Sequence, residues 1–190
     1  MNSISVFCGS SPGKLPDYSK AAKELGRVIA SENIRLVYGA SNLGLMGIVA
    51  ESVLNNGGTA IGVMPKIFKG KVNHPNLDEL IIVDTMHQRK ARMYELSDAF
   101  LALPGGLGTF EEILEMITWS QIGINSKPCG LLNISGYYDK LVTFLDYSVE
   151  QRFVKREHRD KIIIDDDINR IFHDFKNYEA LKVNKWLDRK

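Results

Sequence analysis

The chain has 190 residues, of which 44% are hydrophobic and 25% are charged, and its 24 Lys and Arg residues nearly balance 23 Asp and Glu residues. These values are typical of a globular protein, and we predict one domain over residues 1–190. The near balance of basic and acidic residues excludes a general basic surface for nucleic acid. No apolar stretch reaches the roughly 18 residues that a membrane span needs.

Short apolar runs alternate with helical patterns along the chain. The predicted strands are, in order, ISVFCG, IRLVYG, TAIGVMP, LIIVDT, AFLALPG and CGLLNI. The predicted helices between them are DYSKAAKELGRVIASEN, LMGIVAESVLNNGG, MHQRKARMYELS and TFEEILEMITWSQI, and KIFKGKVNHPNLDE is a loop. Beyond these, YYDKLVTFLDYSVEQRF predicts a helix, followed by a last strand KIIID and one or two further helices. This pattern predicts an α/β fold, a doubly wound, Rossmann-like parallel sheet with helices on both faces.

Three glycine-bearing loops follow predicted strands. They are CGSSPG (8–13), YGASNLGLMG (38–47) and PGGLGT (104–109). Doubly wound sheets bind ligands at the carboxyl ends of their strands, and a glycine turn that opens a helix presents free N–H groups to an anion. We therefore predict a phosphate or nucleotide site at this edge.

The loops lack the signatures of two common nucleotide sites. GxxxxGK[ST] is absent, so no P-loop lysine reaches the β- and γ-phosphates of a triphosphate. An NAD site requires GxGxxG after the first strand and an acidic residue after the second, whereas this chain has CGSSPG and VYGAS. A small phosphorylated ligand remains.

The segment DTMHQRKARM places basic residues near the start of a predicted helix. Thr85 and Gln88 have the spacing of a capping box. We predict that Arg89 points into the cleft, with Lys90 about 100° around the helix from it. A solvated basic helix face is the alternative.

PGGLGTFEE, taken with MHQRKARM and GLMG, resembles the LOG ("lonely guy") family of cytokinin riboside 5′-monophosphate phosphoribohydrolases, and the resemblance covers nearly the whole chain. It implies hydrolysis of the N-glycosidic bond of an adenosine 5′-monophosphate, often N6-modified, to free base and ribose 5-phosphate. It also implies that Arg89 and Glu112 are the catalytic pair. The substrate-binding residues that it implies are Ser10, Ser11, Gly44, Gly47, Met86, Lys90, Gly105, Gly106, Gly108 and Thr109. No metal and no cofactor are expected.

One departure from the family pattern concerns the second loop. Where the family usually reads YGGG, this chain has Tyr38-Gly39-Ala40-Ser41. The backbone path of that loop is therefore open, although GLMG is intact.

Other functions were weighed against this one. Relatives in the family are often labelled "lysine decarboxylase-like", but a pyridoxal phosphate enzyme needs a Schiff-base lysine and an acidic partner for the ring nitrogen, and neither is assignable here. A general nucleosidase acting on AMP and a nucleotide-binding carrier without catalysis remain as alternatives.

Two interpretations of Glu112 compete. Thr109 and Glu112 have the spacing of a capping box, which makes the glutamate a helix cap. A glutamate can also stabilise the positive charge that develops on ribose, or activate water, when a glycosidic bond breaks. The family motif favours catalysis.

Location and assembly complete the expectations. The N-terminus lacks the pattern of an export signal, and the two cysteines and four histidines form no zinc motif, so we expect a cytoplasmic protein. We expect a homodimer, with part of the apolar surface of two helices packed between subunits. The residues concerned are Met86, Met93, Tyr94, Leu96, Ile113, Met116, Ile117 and Trp119.

Overall fold

The computed structural model describes residues 1–70 and 75–181, and within them seven parallel strands form one sheet. The strands are β1 (Ser3–Phe7), β2 (Arg35–Tyr38), β3 (Ala60–Pro65), β4 (Glu79–Val83), β5 (Ala99–Ala102), β6 (Cys129–Leu132) and β7 (Ile162–Asp165). The helices are α1 (Pro16–Ser31), α2 (Gly44–Asn55), α3 (Met86–Leu96), α4 (Leu107–Gln121), α5 (Asp139–Glu150), α6 (Arg156–Arg159) and α7 (Ile168–Lys176). The predicted α/β fold is confirmed.

The strand order is β4-β3-β2-β1-β5-β6-β7. The chain runs outward from β1 to β4 and then returns to β5 on the other side of β1, so the strand order reverses between β1 and β5. Phe7 pairs with Ala102 at the ends of these two strands. The loops that follow them therefore start side by side at the position where such sheets bind ligands.

Helices cover both faces of the sheet. Alternate strand side chains point to opposite faces, so Val6 packs with α1, α2 and α7, whereas Phe7 packs with α3, α4 and α5. Because both faces are buried, the strands are apolar almost throughout and show little polar alternation. No helix among the described residues is long and apolar enough to cross a membrane.

The start of α3 was predicted correctly and the start of α4 was not. Thr85 Oγ1 accepts a hydrogen bond from Gln88 N–H at 3.1 Å, and Gln88 Oε1 accepts one from Thr85 N–H at 3.3 Å, which confirms the capping box. The helix predicted from Thr109 begins at Leu107 instead. Its cap is Gly106, whose carbonyl accepts the first helical hydrogen bond.

The loop KIFKGKVNHPNLDE was predicted as irregular. It begins with a 3₁₀ turn over Lys66–Phe68, and residues 71–74 lie outside the described part of the chain.

Most of the eight apolar side chains from which we expected part of a subunit interface belong to the core of the monomer. Met93, Ile113 and Met116 are at most 1% exposed. Four others pack against the same core cluster, namely Tyr94, Leu96, Ile117 and Trp119. Only Met86 of this set is largely exposed. The helix faces themselves are thus used within the chain.

Candidate active site

A cavity of about 560 Å³ opens at the carboxyl edge of the sheet. This volume lies in the range of pockets that hold small ligands and cofactors. Seven of the predicted site residues line it, and these are Ser10, Met86, Arg89, Gly106, Gly108, Thr109 and Glu112. The structure therefore brings together predicted residues from the first and third glycine loops and from the helices α3 and α4.

Hydrogen bonds connect the three glycine loops. Gly9 N–H, in the first loop, donates to Pro104 O in the third at 3.1 Å. Leu45 N–H, in the first turn of α2, donates to Gly9 O at 3.0 Å. The loops converge as predicted, and a carbonyl of the first loop accepts the hydrogen bond from an N–H group at the N-terminus of α2.

Gly44 and Gly47 lie outside this cavity, in a neighbouring groove. Gly44 has a left-handed φ of +56°, and a Cβ there would overlap the backbone of Ser10. A Cβ on Gly47 would overlap Asn42 O. Their positions indicate a packing role, because Gly44 lets α2 approach the first loop closely and Gly47 leaves room for the backbone of Asn42 in the second loop.

Three other predicted residues also lie off the cavity wall. Ser11 and Gly105 border an adjacent groove on the other side of the third loop.

Lys90 Nζ is buried between Glu111 and Glu115, to which it donates. Burial disfavours the charged ammonium, but these two carboxylates outweigh that effect and raise the pKa of Lys90. Its contacts connect α3 to α4.

The N-terminus of α4 faces the cavity. The helix starts after Gly106, with no side-chain cap, and Leu107, Gly108 and Thr109 line the wall. The first N–H groups of a helix have no partner within it, and the helix dipole is positive at this end. The turn can therefore bind an anion.

The arrangement also settles the capping interpretation of Glu112. Thr109 is the third residue of α4 and cannot be its N-cap, so the capping-box interpretation of Thr109 and Glu112 is wrong. The carboxylate of Glu112 instead points toward α3, where it meets Arg89.

Arg89 and Glu112 form a buried ion pair. Arg89 Nη1 lies 2.5 Å from Glu112 Oε1, and each side chain is 10% exposed. Arg89 Nε donates to Val63 O at 3.2 Å, which attaches the guanidinium to the end of β3. With two of its edges held, Arg89 has a defined orientation and fixes the position of the carboxylate.

Gly39, at the end of β2, provides the space for the guanidinium. A Cβ at this position would overlap Arg89 Nη2 and lie 3.3 Å from Met46 Sδ. Gly39 lies in the second glycine loop but was not among the predicted site residues.

The next residue carries the departure from the family pattern. Ala40 has φ +62° and is fully buried. This left-handed conformation costs a residue with a side chain about 1 kcal/mol or more. A Cβ built on Gly62 would lie 2.5 Å from Ala40 Cβ, so Gly62 leaves room for the alanine methyl group. The loop thus retains a glycine-like turn despite the alanine.

The surroundings of Glu112 alter its protonation. Burial raises the pKa of Glu112, and Arg89 opposes this only in part. Cys8 also lines the cavity, and burial raises the pKa of its thiol far above the ordinary value. A thiol that stays protonated is a poor nucleophile, so Cys8 is not a candidate for the nucleophile of this site.

The apolar part of the wall was not predicted, apart from Met86. It consists of Leu43, Met46, Met64, Phe68, Met86 and Leu107. These residues come from four separate segments, and each resembles an ordinary core or loop residue in the sequence. Only their position around the cavity marks them as candidates for ligand contact.

The cavity does not suit a pyridoxal phosphate enzyme. Among the described residues that line it there is no lysine to form a Schiff base.

Comparison with known proteins gives the family. The model of the family described as "Possible lysine decarboxylase" matches residues 46–175. Cytokinin riboside 5′-monophosphate phosphoribohydrolase LOG2 of Arabidopsis thaliana is 49% identical over 162 residues, which cover 85% of this chain and 76% of that protein. The enzyme of the same name from Rhodococcoides fascians is 45% identical over 168 residues, covering 87% and 85%.

Solved structures share the fold at lower identity. The molybdenum cofactor binding protein of Rippkaea orientalis superposes with a TM-score of 0.70 at 22% identity and covers 92% of this chain and 95% of its own. At this identity the likeness concerns the fold alone. The extent and identity of the sequence matches are decisive: the chain belongs to the LOG family, whose members are named cytokinin riboside 5′-monophosphate phosphoribohydrolases.

Proposed function

We propose that this protein hydrolyses the N-glycosidic bond of N6-modified adenosine 5′-monophosphates and releases the free base, a cytokinin, with ribose 5-phosphate. The observation that carries the proposal is the buried Arg89–Glu112 pair on the wall of a nucleotide-sized cavity, beside an open helix N-terminus. The names of relatives that are 45% and 49% identical state the same activity.

The phosphate of the substrate binds, in this proposal, at the turn that opens α4. Gly106 and Gly108 have no Cβ, and a Cβ at either position would point into open space. A phosphate can therefore approach the backbone N–H groups closely. Thr109 adds a hydroxyl donor to the same wall.

Glu112 and Arg89 carry the chemistry. Cleavage of the C–N bond builds positive charge on the ribose, which a carboxylate stabilises. Glu112 can also take a proton from the water that adds to the anomeric carbon and return it to the departing base, so that water supplies the new hydroxyl of ribose and the proton on the base. Arg89 holds Glu112 in place and does not need to move to do so.

The apolar wall supports an N6-modified base. Met46, Met64 and Phe68 provide hydrophobic surface on the same cavity as the catalytic pair. A hydrophobic N6 substituent gains free energy when it leaves water for such a surface. Unmodified AMP lacks this group and makes fewer contacts.

The form of the substrate provides the central test. We expect N6-isopentenyl-AMP to be cleaved with a higher kcat/KM than AMP, and the corresponding riboside to be a poor substrate, because phosphate binding positions the glycosidic bond. Base release measured by chromatography distinguishes the three. Equal cleavage of AMP and N6-isopentenyl-AMP would indicate a general nucleosidase, and binding without base release would indicate a carrier.

The pH profile tests the role of the carboxylate. Glu112 must be ionised to act, and its raised pKa means that it is protonated at pH values where an ordinary glutamate, of pKa about 4.3, is charged. We expect kcat/KM to fall as the pH falls through a value above that ordinary pKa. Circular dichroism at each pH should show a folded protein, and a flat acid limb would argue against Glu112.

We also propose a homodimer with the active sites near the interface. Several large apolar side chains at the rim of the cavity are exposed, Leu107 at 86%, Leu43 at 48% and Phe68 at 43%. Such a patch is typical of an interaction surface. Light scattering at micromolar concentration should give twice the mass of the chain, and a monomer mass would contradict the proposal.

The location that we propose is the cytoplasm. Both cysteines, Cys8 and Cys129, are free and buried, which is usual in reducing compartments.

A further inference from the structure

Two consecutive tyrosines that the family motifs do not include hold the turn between β5 and α4. Tyr138 Oη donates to Leu103 O at 2.6 Å, and Tyr137 Oη donates to Gly105 O. Both tyrosines come from the connection between β6 and α5, remote in sequence from the turn. They act on carbonyl groups only two residues apart.

Ring contacts with two helices fix the position of the Tyr137 side chain. Its ring stacks on Phe110 of α4 at a centroid distance of 6.5 Å and meets the edge of Tyr18 of α1 at 5.7 Å. The next residue, Tyr138, is fully buried, and its N–H donates to Asn133 Oδ1 at 2.7 Å. The hydroxyl of Tyr137 is thus held at the turn by packing on two helices.

This hydrogen bond sets the direction of one peptide group. In a trans peptide, the carbonyl and the following N–H point in opposite directions. Because Gly105 O is directed at Tyr137, the N–H of Gly106 is directed away from it. Gly106 borders both the groove that contains Tyr137 and the catalytic cavity.

Charge in the cavity increases the importance of this N–H group. Among the described residues on the wall, Arg89 is the only basic one, and it is paired with Glu112. Glu111 adds a further carboxylate. A phosphate must therefore depend largely on backbone N–H groups and on their exact orientation.

We propose that Tyr137 is a positioning residue for the phosphate, which acts through Gly105 O to present the Gly106 N–H to the anion. The inference rests on the proposed 5′-monophosphate substrate. Tyr137 does not touch the glycosidic bond, so its effect belongs to phosphate binding and not to the chemical step.

Tyr137→Phe tests this, because it removes the hydroxyl and keeps the ring. We expect inorganic phosphate, titrated calorimetrically, to bind about 5- to 10-fold more weakly, the scale of one hydrogen bond. KM for N6-isopentenyl-AMP should rise by a similar factor and kcat should stay within twofold. The matched control is Tyr147→Phe, a half-exposed tyrosine of α5, which should behave as the wild type.

Tyr138→Phe separates positioning from general loosening of the turn. It leaves the buried Leu103 carbonyl without its partner, so we expect a lower melting temperature with less than a twofold change in phosphate affinity. Equal weakening of phosphate binding in both variants, or wild-type affinity in Tyr137→Phe, would overturn the proposal. If the wild type releases no base, the proposed function fails, and the phosphate titration still decides the role of Tyr137.

Discussion

Glu112→Gln is expected to release base at least about 100-fold more slowly than the wild type, the scale of one acid–base group. Glutamine keeps the shape of the side chain and can still accept a hydrogen bond from Arg89, but it carries no negative charge and accepts no proton. Stability should change little, because burial of the carboxylate already offsets much of the ion pair. Nucleotide binding should persist.

The measurements are initial rates of base release, a melting curve and nucleotide titration on the same preparation. Glu95→Gln is the matched control, since Glu95 is an exposed carboxylate on α3 that pairs with Arg92 at the surface. Helix capping no longer offers an alternative role for Glu112, because α4 begins at Leu107. Near-normal turnover in a folded Glu112→Gln protein would therefore refute the catalytic role.

Gly39→Ala is expected to lower turnover by about 100-fold, the scale of a misplaced catalytic group. The new Cβ would overlap Arg89 Nη2, so the guanidinium must move away from Glu112. The protein should remain folded, and its melting temperature should fall by less than that of Gly62→Ala, because the atom that must move is the end of a side chain and not backbone. The measurements are kcat and a thermal melt.

Gly62→Ala, in contrast, is expected to lower the stability of the fold. Its Cβ would lie 2.5 Å from Ala40 Cβ and 3.1 Å from Ala40 Cα. Here the backbone must shift, and overpacking of this kind costs about 1–3 kcal/mol of stability.

If Gly39→Ala retained wild-type turnover, the position of Arg89 would not matter to the reaction.

The sequence by itself determined the fold class and indicated the edge of the sheet at which the cavity opens. Apolar strands alternating with helices specify a parallel sheet, because each element must bury its apolar residues on a neighbour. The capping box at Thr85 could also be predicted, since its hydrogen bonds join residues three apart. Glycine loops after strands indicated the edge of the sheet that carries the cavity. The family motif then selected Arg89 and Glu112.

Only the tertiary structure decided which of the predicted residues line the cavity. Gly44 and Gly47 occur in a glycine motif, as Gly106 does, but the N–H of Leu45 at the start of α2 donates to Gly9 O. The start of α4 has no side-chain cap and lines the cavity. Lys90 is adjacent to Arg89 in sequence, but the helical turn directs it to Glu111 instead of the cavity.

The contacts of Gly39 with Arg89 and of Tyr137 with Gly105 join segments that are far apart in the chain. Local patterns report the hydrogen bonds and burial of neighbouring residues. The order of the strands determines which distant loops meet, and it depends on packing free energy summed over the whole sheet, which no short motif contains.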